Sequence, residues 1–263
     1  MEALNLIYYS PTGTTKKIVK TIGKELGLKQ LNEYSITSKP IDLKPELGDN
    51  CLTIIGVPVY GGRVPIEAVE QLKKLQSKNT PAVLVVVYGN RAYDDALLEL
   101  KMIAENCGFN IIAAAAFIGE HSFSSIDKPI AAGRPDKLDL IKCVEFSHRI
   151  KAKINDLEQG DLFELAIPGN YPHKERSKLP ESIAPETAYD QCDNCGICVD
   201  VCPSNAITIV GQVITNAKLC TWCCACVKNC PNEARFFENP TINGIKEKLF
   251  TTCSERKEPE LFV

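Results

Sequence analysis

Thirteen of the 263 residues are cysteine, and nine of these lie between Cys192 and Cys230. Inside that block one pattern occurs twice at an offset of 28 residues. It runs Cys192-x-x-Cys195-x-x-Cys198-Val-x-x-Cys202-Pro-x-x-Ala206, then Cys220-x-x-Cys223-x-x-Cys226-Val-x-x-Cys230-Pro-x-x-Ala234. Disulfide frameworks belong to short chains with cysteines throughout, so this dense block on a long chain points to metal. Thiolates are soft ligands that suit iron–sulfur clusters and zinc alike. Tetrahedral zinc could use the same sulfurs, but zinc modules are not built on a doubled run of this kind ending in Cys-Pro. The run suits [4Fe–4S] cubes: three closely spaced cysteines wrap three corners, and the fourth thiolate must come from elsewhere.

In the two-cluster arrangement the cysteine before the proline crosses to the other cluster. The expected ligand sets are therefore Cys192, Cys195, Cys198 and Cys230 for one, and Cys220, Cys223, Cys226 and Cys202 for the other. Pro203 and Pro231 fix the chain direction after the crossing cysteines and remove a backbone donor there. Over residues 189–239 the sequence resembles the two-cluster bacterial ferredoxins, with all eight ligand positions intact. Cys224, beside a ligand, departs from the pattern. It reads as a small buried residue, with an exchange of roles with Cys223 as the alternative. Cys51, Cys107, Cys143 and Cys253 read as core or surface residues. Tyr189, Ile197, Trp222 and Phe236 are expected to exclude water from the clusters, which bears on their potentials.

A second set of candidates lies near the N-terminus. Ser10-Pro11-Thr12-Gly13-Thr14-Thr15 follows a strand pattern and opens a helical one. Hydroxyls and backbone N–H groups at a helix start make a phosphate cradle, and Gly13 allows close backbone approach. The bland alternative is a plain Ser/Thr capping turn. The loop is not a Walker A sequence and there is no G-x-G-x-x-G, which disfavours ATP and NAD. Two further glycine-bearing loops, Pro58-Val-Tyr60-Gly61-Gly62-Arg63 and Gly89-Asn90-Arg91-Ala-Tyr93-Asp94-Asp95, carry aromatics suited to a flat ring. Their candidate contacts are Pro58, Tyr60, Gly61, Gly62, Arg63, Gly89, Asn90, Arg91, Tyr93 and Asp95, with simple burial as the competing role for the tyrosines. His121 reads first as a surface-loop residue, and His148 and His173 receive no role.

The elements that must position these loops alternate strand and helix. Strands are expected over 4–9, 31–36, 51–57, 82–88 and 110–118, and helices over 14–26, 66–75, 93–106 and 137–156. The third and fourth strands are continuously apolar, as strands buried on both faces must be. This predicts an α/β fold, a doubly wound five-stranded parallel sheet, whose ligand would sit at the carboxyl ends of the strands near the switch point. Residues 1–155 thus resemble a short-chain flavodoxin. That resemblance implies FMN, with its phosphate on Ser10, Thr12, Gly13, Thr14 and Thr15 and its ring between the loops at 60–63 and 89–93.

Prolines among charged residues at 168–185 read as a linker. The expected organisation is an FMN-binding domain over 1–160, a linker over 161–186, a small α+β 2[4Fe–4S] domain over 187–240 and a tail over 241–263. The whole resembles the flavodoxin–ferredoxin fusion proteins found mainly in anaerobes. It implies an electron carrier that relays electrons between two [4Fe–4S] clusters and FMN in low-potential metabolism. The alternative is an FMN-dependent reductase of a small organic acceptor, with Arg91, His121 and Arg134 as substrate contacts. The formal net charge of −3 gives no polyanion-binding signal. No apolar run approaches a membrane span and no leader pattern opens the chain. The expectation is a cytoplasmic protein with redox partner proteins, no nucleic acid or membrane partner, and scope for a homodimer.

Overall fold

A computed structural model describes residues 1–37, 47, 50–158 and 165–263, of which residues 156–158 by backbone only. The expected domain boundary at 160 and the first four residues of the expected linker lie outside the described residues. Five parallel strands, β1 (Ala3–Tyr8), β2 (Gln30–Ser35), β3 (Cys51–Pro58), β4 (Pro81–Tyr88) and β5 (Asn110–Ile118), line up in the order 2-1-3-4-5. That is the flavodoxin-like doubly wound order, whose ligand crevice opens where β1 and β3 diverge. Successive strand residues point to opposite faces, so each buried strand feeds two cores. Leu6, Ile54, Val85 and Phe117 pack on one face beneath α1 (Thr14–Leu26) and α4 (Lys137–Glu158). Ile7, Ile55, Leu84 and Ala114 pack on the other beneath α2 (Ile66–Leu72) and α3 (Ala96–Asn106). The helix expected from residue 93 starts at Ala96 because Asn90 and Asp94 take left-handed backbone (φ +64° and +43°) and keep the loop open.

The cysteine-rich part folds as two like halves. Strand β6 (Glu186–Thr187), helix α5 (Ile197–Asp200) and β7 (Ile207–Val210) are followed by β8 (Gln212–Thr215), α6 (Ala225–Lys228) and β9 (Arg235–Phe236). β6 pairs antiparallel with β9, and β7 with β8.

Two segments differ from the sequence reading. The expected tail is structured: α7 (Pro240–Thr252) leads to β10 (Glu260–Phe262), which pairs antiparallel with β5 through Leu261 opposite Ala115. The sheet therefore has six strands. Asn90 donates to the carbonyls of Cys253 (2.7 Å) and Glu255 (2.8 Å), and Tyr93 Oη donates to Glu260 (2.8 Å), so the returning chain is bonded along its length.

The described part of the expected linker is also anchored. Asp95 accepts from the backbone N–H of Asn170 (2.8 Å) and Lys174 (2.6 Å). Buried Glu99 takes Arg63 on one side (2.8 Å), Arg176 on the other (2.7 Å) and the Val64 N–H (2.8 Å). Proline content suggested a tether, but carboxylates about eighty residues away in sequence make it a strap.

The cysteine-rich half docks on the sheet domain through an aromatic row, His121–Phe123–Phe237–Trp222, with centroids 5.3, 5.8 and 5.6 Å apart. Lys228 adds hydrogen bonds to Glu120 (2.7 Å) and the Ser124 carbonyl (3.0 Å). Among the described residues no helix is long and apolar enough to cross a membrane.

Burial alone would raise the Asp95 and Glu99 carboxyls, but backbone donors at Asp95, and Arg63 with Val64 at Glu99, outweigh it and hold both below their ordinary 3.8 and 4.5. A lowered folded-state value stabilises above the ordinary value and is lost as pH falls through the folded one. The strap should thus stay anchored at neutral pH and loosen only below about pH 4. Protease cleavage within residues 168–177, followed against pH, should rise there. Asp95→Asn should cut readily at pH 7 as well, and an unchanged cleavage profile would show that the strap is held otherwise.

Candidate redox site

The loop after β1 turns at Gly13, whose φ of +85° is open to glycine at no steric cost, and α1 starts at Thr14 with no acidic residue in its first turn. An anion is therefore favoured at this end. The Ser10 hydroxyl accepts from the Lys16 N–H (3.0 Å), so Ser10 caps the helix from behind. Thr15 is buried with its hydroxyl unpartnered, an orphan that a bound anion would satisfy. Thr12 and Thr14 line a cavity of about 1310 Å³, larger than the roughly 300–1,000 Å³ of ordinary ligand pockets.

Pro58, Tyr60 and Gly61 form one wall of that cavity; Gly89, Arg91 and the 119–123 loop form another. A Cβ on Gly89 would come within 2.3 Å of the His121 ring, so glycine is what lets that ring lie against the loop. Burial, with Arg91 and Lys228 nearby, pushes the His121 ring down to about 4, and it is neutral at pH 7. Its Nδ1 accepts from the Phe123 N–H (3.0 Å), which leaves Nε2 as the N–H side.

The strap and the cysteine-rich half complete the cavity. Arg176 and Leu179 come from the strap, Pro203–Asn205 from just beyond a crossing cysteine, and Cys220, Thr221 and Trp222 from the second repeat. Sequence reasoning missed these walls, since they join segments distant in sequence with no shared motif.

Five expected ring contacts serve the scaffold instead. A Cβ on Gly62 would meet Asp94, Arg63 pairs with Glu99, and Asn90 holds the returning tail. Tyr93 packs on Tyr88 (centroids 5.5 Å) and bonds Glu260, while Asp95 anchors the strap. Arg134, a candidate substrate contact, is buried on Asp139 and donates to the Lys257 carbonyl (2.7 Å).

Cys192, Cys195, Cys198 and Cys230 line one small pocket together, which is the crossed set. Cys223 has Cys226, Cys202 and Cys220 as electrostatic neighbours, the other crossed set. Each repeat uses three left-handed residues: Asn194, Gly196 and Asn205 in the first, Trp222, Cys224 and Glu233 in the second (φ +57°, +83°, +53°, +58°, +58° and +52°). Asparagine and glycine accept that conformation readily, whereas tryptophan does not. Packing holds it, through the Trp222 indole N–H on the Ile183 carbonyl (2.8 Å) and its ring on Phe237. Cys224 is buried with Phe237 and Ile242, in an apolar cluster that holds none of the eight.

Residues 185–208 match the family model described as a 4Fe-4S binding domain. Over 68 residues, 26% of this chain, the sequence is 35% identical to the polyferredoxin protein MvhB of Methanothermus fervidus, covering 16% of it. Over 69 residues it is 41% identical to a tetrathionate reductase component of Archaeoglobus fulgidus, covering 31% of that protein. The chain therefore spans under a third of either relative. Among solved structures, a flavodoxin of Streptococcus pneumonia TIGR4 aligns over 57% of this chain and 99% of its own, at 17% identity and a TM-score of 0.43. The chain thus joins a doubly wound domain of strand order 2-1-3-4-5 to a cysteine-rich part in which residues 185–208 match the 4Fe-4S binding domain.

Proposed function

We propose that this chain is an electron-transfer protein in which two [4Fe–4S] clusters exchange electrons with an FMN held in the shared cavity. The observation that carries the reading is that one cavity is lined both by Thr12 and Thr14 at the start of α1 and by Cys220. FMN bound there would supply the switch between two-electron and one-electron chemistry. Thr12, Thr14, the buried Thr15 hydroxyl and the free N–H groups of α1 would hold its phosphate. Tyr60 and Gly61 would flank the ring opposite Gly89, His121 would offer its Nε2–H, and Phe123 and Trp222 would exclude water.

The geometry also orders the cysteine sets. The Cys220 set abuts the cavity, and its Cys223 thiol lies within electrostatic reach of Tyr60. No cysteine of the Cys192 set lines the cavity, and its Cys195 is exposed. Electrons would enter at the outer set, cross to the inner one and reach the flavin. Residues 187–240 hold five acids against three bases, and two of those bases are taken: Lys228 by Glu120 and buried Arg235 by neutral oxygens. The outer face therefore suits a redox partner with a basic surface.

The size of the cavity favours, as a second reading, reduction of a small organic acceptor beside the flavin, with Arg91 and His121 at hand. Catalytic turnover with a candidate acceptor, rather than stoichiometric oxidation, would establish it.

The protein should bind about eight irons and eight sulfides with one FMN. Zinc without acid-labile sulfide would end the cluster reading. Thr12→Ala with Thr14→Ala should weaken FMN by about 1–3 kcal/mol per lost charged hydrogen bond, measured by flavin fluorescence, with iron content unchanged. An unaltered FMN affinity would place the phosphate elsewhere.

A further inference from the structure

Arg235 follows the second Cys-Pro-x-x-Ala run and stands in β9, only 3% exposed. Its guanidinium meets neutral oxygens: Nη1 donates to Thr187 Oγ1 (2.6 Å), and Nη2 to the Pro185 carbonyl (3.0 Å) and Thr215 Oγ1 (2.9 Å). Nε is buried with no partner. Among the described residues no carboxylate forms an ion pair with it, in contrast to Arg63 and Arg134, which each have one. Arginine keeps its charge when buried, and an unpaired buried charge costs several kcal/mol. The missing counter-charge has to come from something else in contact.

The remaining neighbours are thiols of both cysteine sets. Nη2 lies 3.7 Å from Cys226 Sγ in the inner set. Arg235 also lines the pocket of the outer set and acts electrostatically on Cys198. One guanidinium therefore stands between the two sites where negative charge would gather.

We propose that Arg235 is the internal counter-charge of both iron–sulfur clusters and sets their reduction potentials upward, the inner one more strongly. The inference rests on the two-cluster reading. An oxidised cube with its four thiolates is a dianion. Taking one electron from a low-potential one-electron donor adds a further negative charge and releases no ligand. A fixed cation stabilises the reduced form more than the oxidised one, so it favours reduction. Because Nη2 touches a ligand sulfur of the inner set, that cluster gains more. The outer cluster is then the weaker electron acceptor of the two, and electrons arriving there run inward toward the cavity. Arg235 is a positioning residue in this sense: it acts on the electron through the thiolates.

Potentials test this directly. Wild type, Arg235→Gln, Arg235→Met and Arg235→Lys would be purified anaerobically and their iron and sulfide counted. Each cluster would then be titrated with mediators under paramagnetic resonance detection. Wild type with eight irons establishes the reading on which the inference rests; a lower count would fail that reading, separately from this one. With eight irons retained, the neutral variants should make reduction of the inner cluster about tenfold less favourable, which is about 59 mV for one electron. The outer cluster should shift less in the same direction, and Arg235→Lys should return both toward wild type. Unchanged potentials in loaded Arg235→Gln would overturn the proposal, because a purely structural tie between β6 and β9 would lower stability alone. If the neutral variants fail to assemble clusters while Arg235→Lys assembles them, the charge itself is required and the proposal stands. If Arg235→Lys fails with them, the shape of the hydrogen-bonding fork is what matters and the proposal falls.

Discussion

The pairing of Leu261 with Ala115 is the contact on which the arrangement of this protein depends. Because β10 completes the edge of the sheet, the cysteine-rich half is enclosed between β5 and β10 in the chain rather than hung from its end. Both its connections are bonded to the sheet domain, one through Asp95 and Glu99 and the other through Asn90, Arg134 and Tyr93. A domain tied at entry and exit loses most of its freedom to reorient. The aromatic row from His121 to Trp222 and the Lys228–Glu120 contact then have little entropy left to overcome. A cavity with walls from both halves persists only under such a constraint.

Buried polar groups divide the molecule by task. Glu99, Asp95 and Asp139 lie at the sheet end of the chain crossings, each satisfied by arginine or backbone donors. These are the expected native solution for a buried charge. Two of the groups left unsatisfied stand where ligands would belong: the Thr15 hydroxyl at the start of α1 and Arg235 Nε beside the thiols. Fully paired networks give rigidity, and at these two places the unpaired donors suit incoming negative charge.

The sequence made legible what local chemistry dictates. Eight cysteines at fixed spacing announce their chemistry, and the continuous apolar runs in β3 and β4 announce a sheet covered on both faces. The phosphate loop is readable because its glycine and hydroxyls must adjoin a helix start. What stayed hidden depends on contacts between distant segments. The three residues of β10 follow the charged stretch 254–259, too short to show a period of their own. Asn90, Tyr93 and Asp95 look like ligand residues because turn chemistry and ligand chemistry use the same types. Only the strap and returning chain show that they bind protein. Trp222 stands where the first repeat has Asn194, and its left-handed backbone gives no signal in sequence because tryptophan is disfavoured there.

The central claim is that electrons pass inside one molecule from the cysteine-bound clusters to the flavin across the shared cavity. The direct measurement is anaerobic stopped-flow mixing with a one-electron donor, with flavin absorbance and freeze-quenched cluster signals followed together. Cluster reduction should come first, and flavin reduction should follow at a rate independent of protein concentration. A Cys223→Ser variant that keeps the outer cluster should lose that second phase. Second-order flavin reduction in the intact protein, or an FMN that never responds to reduced clusters, would contradict the account.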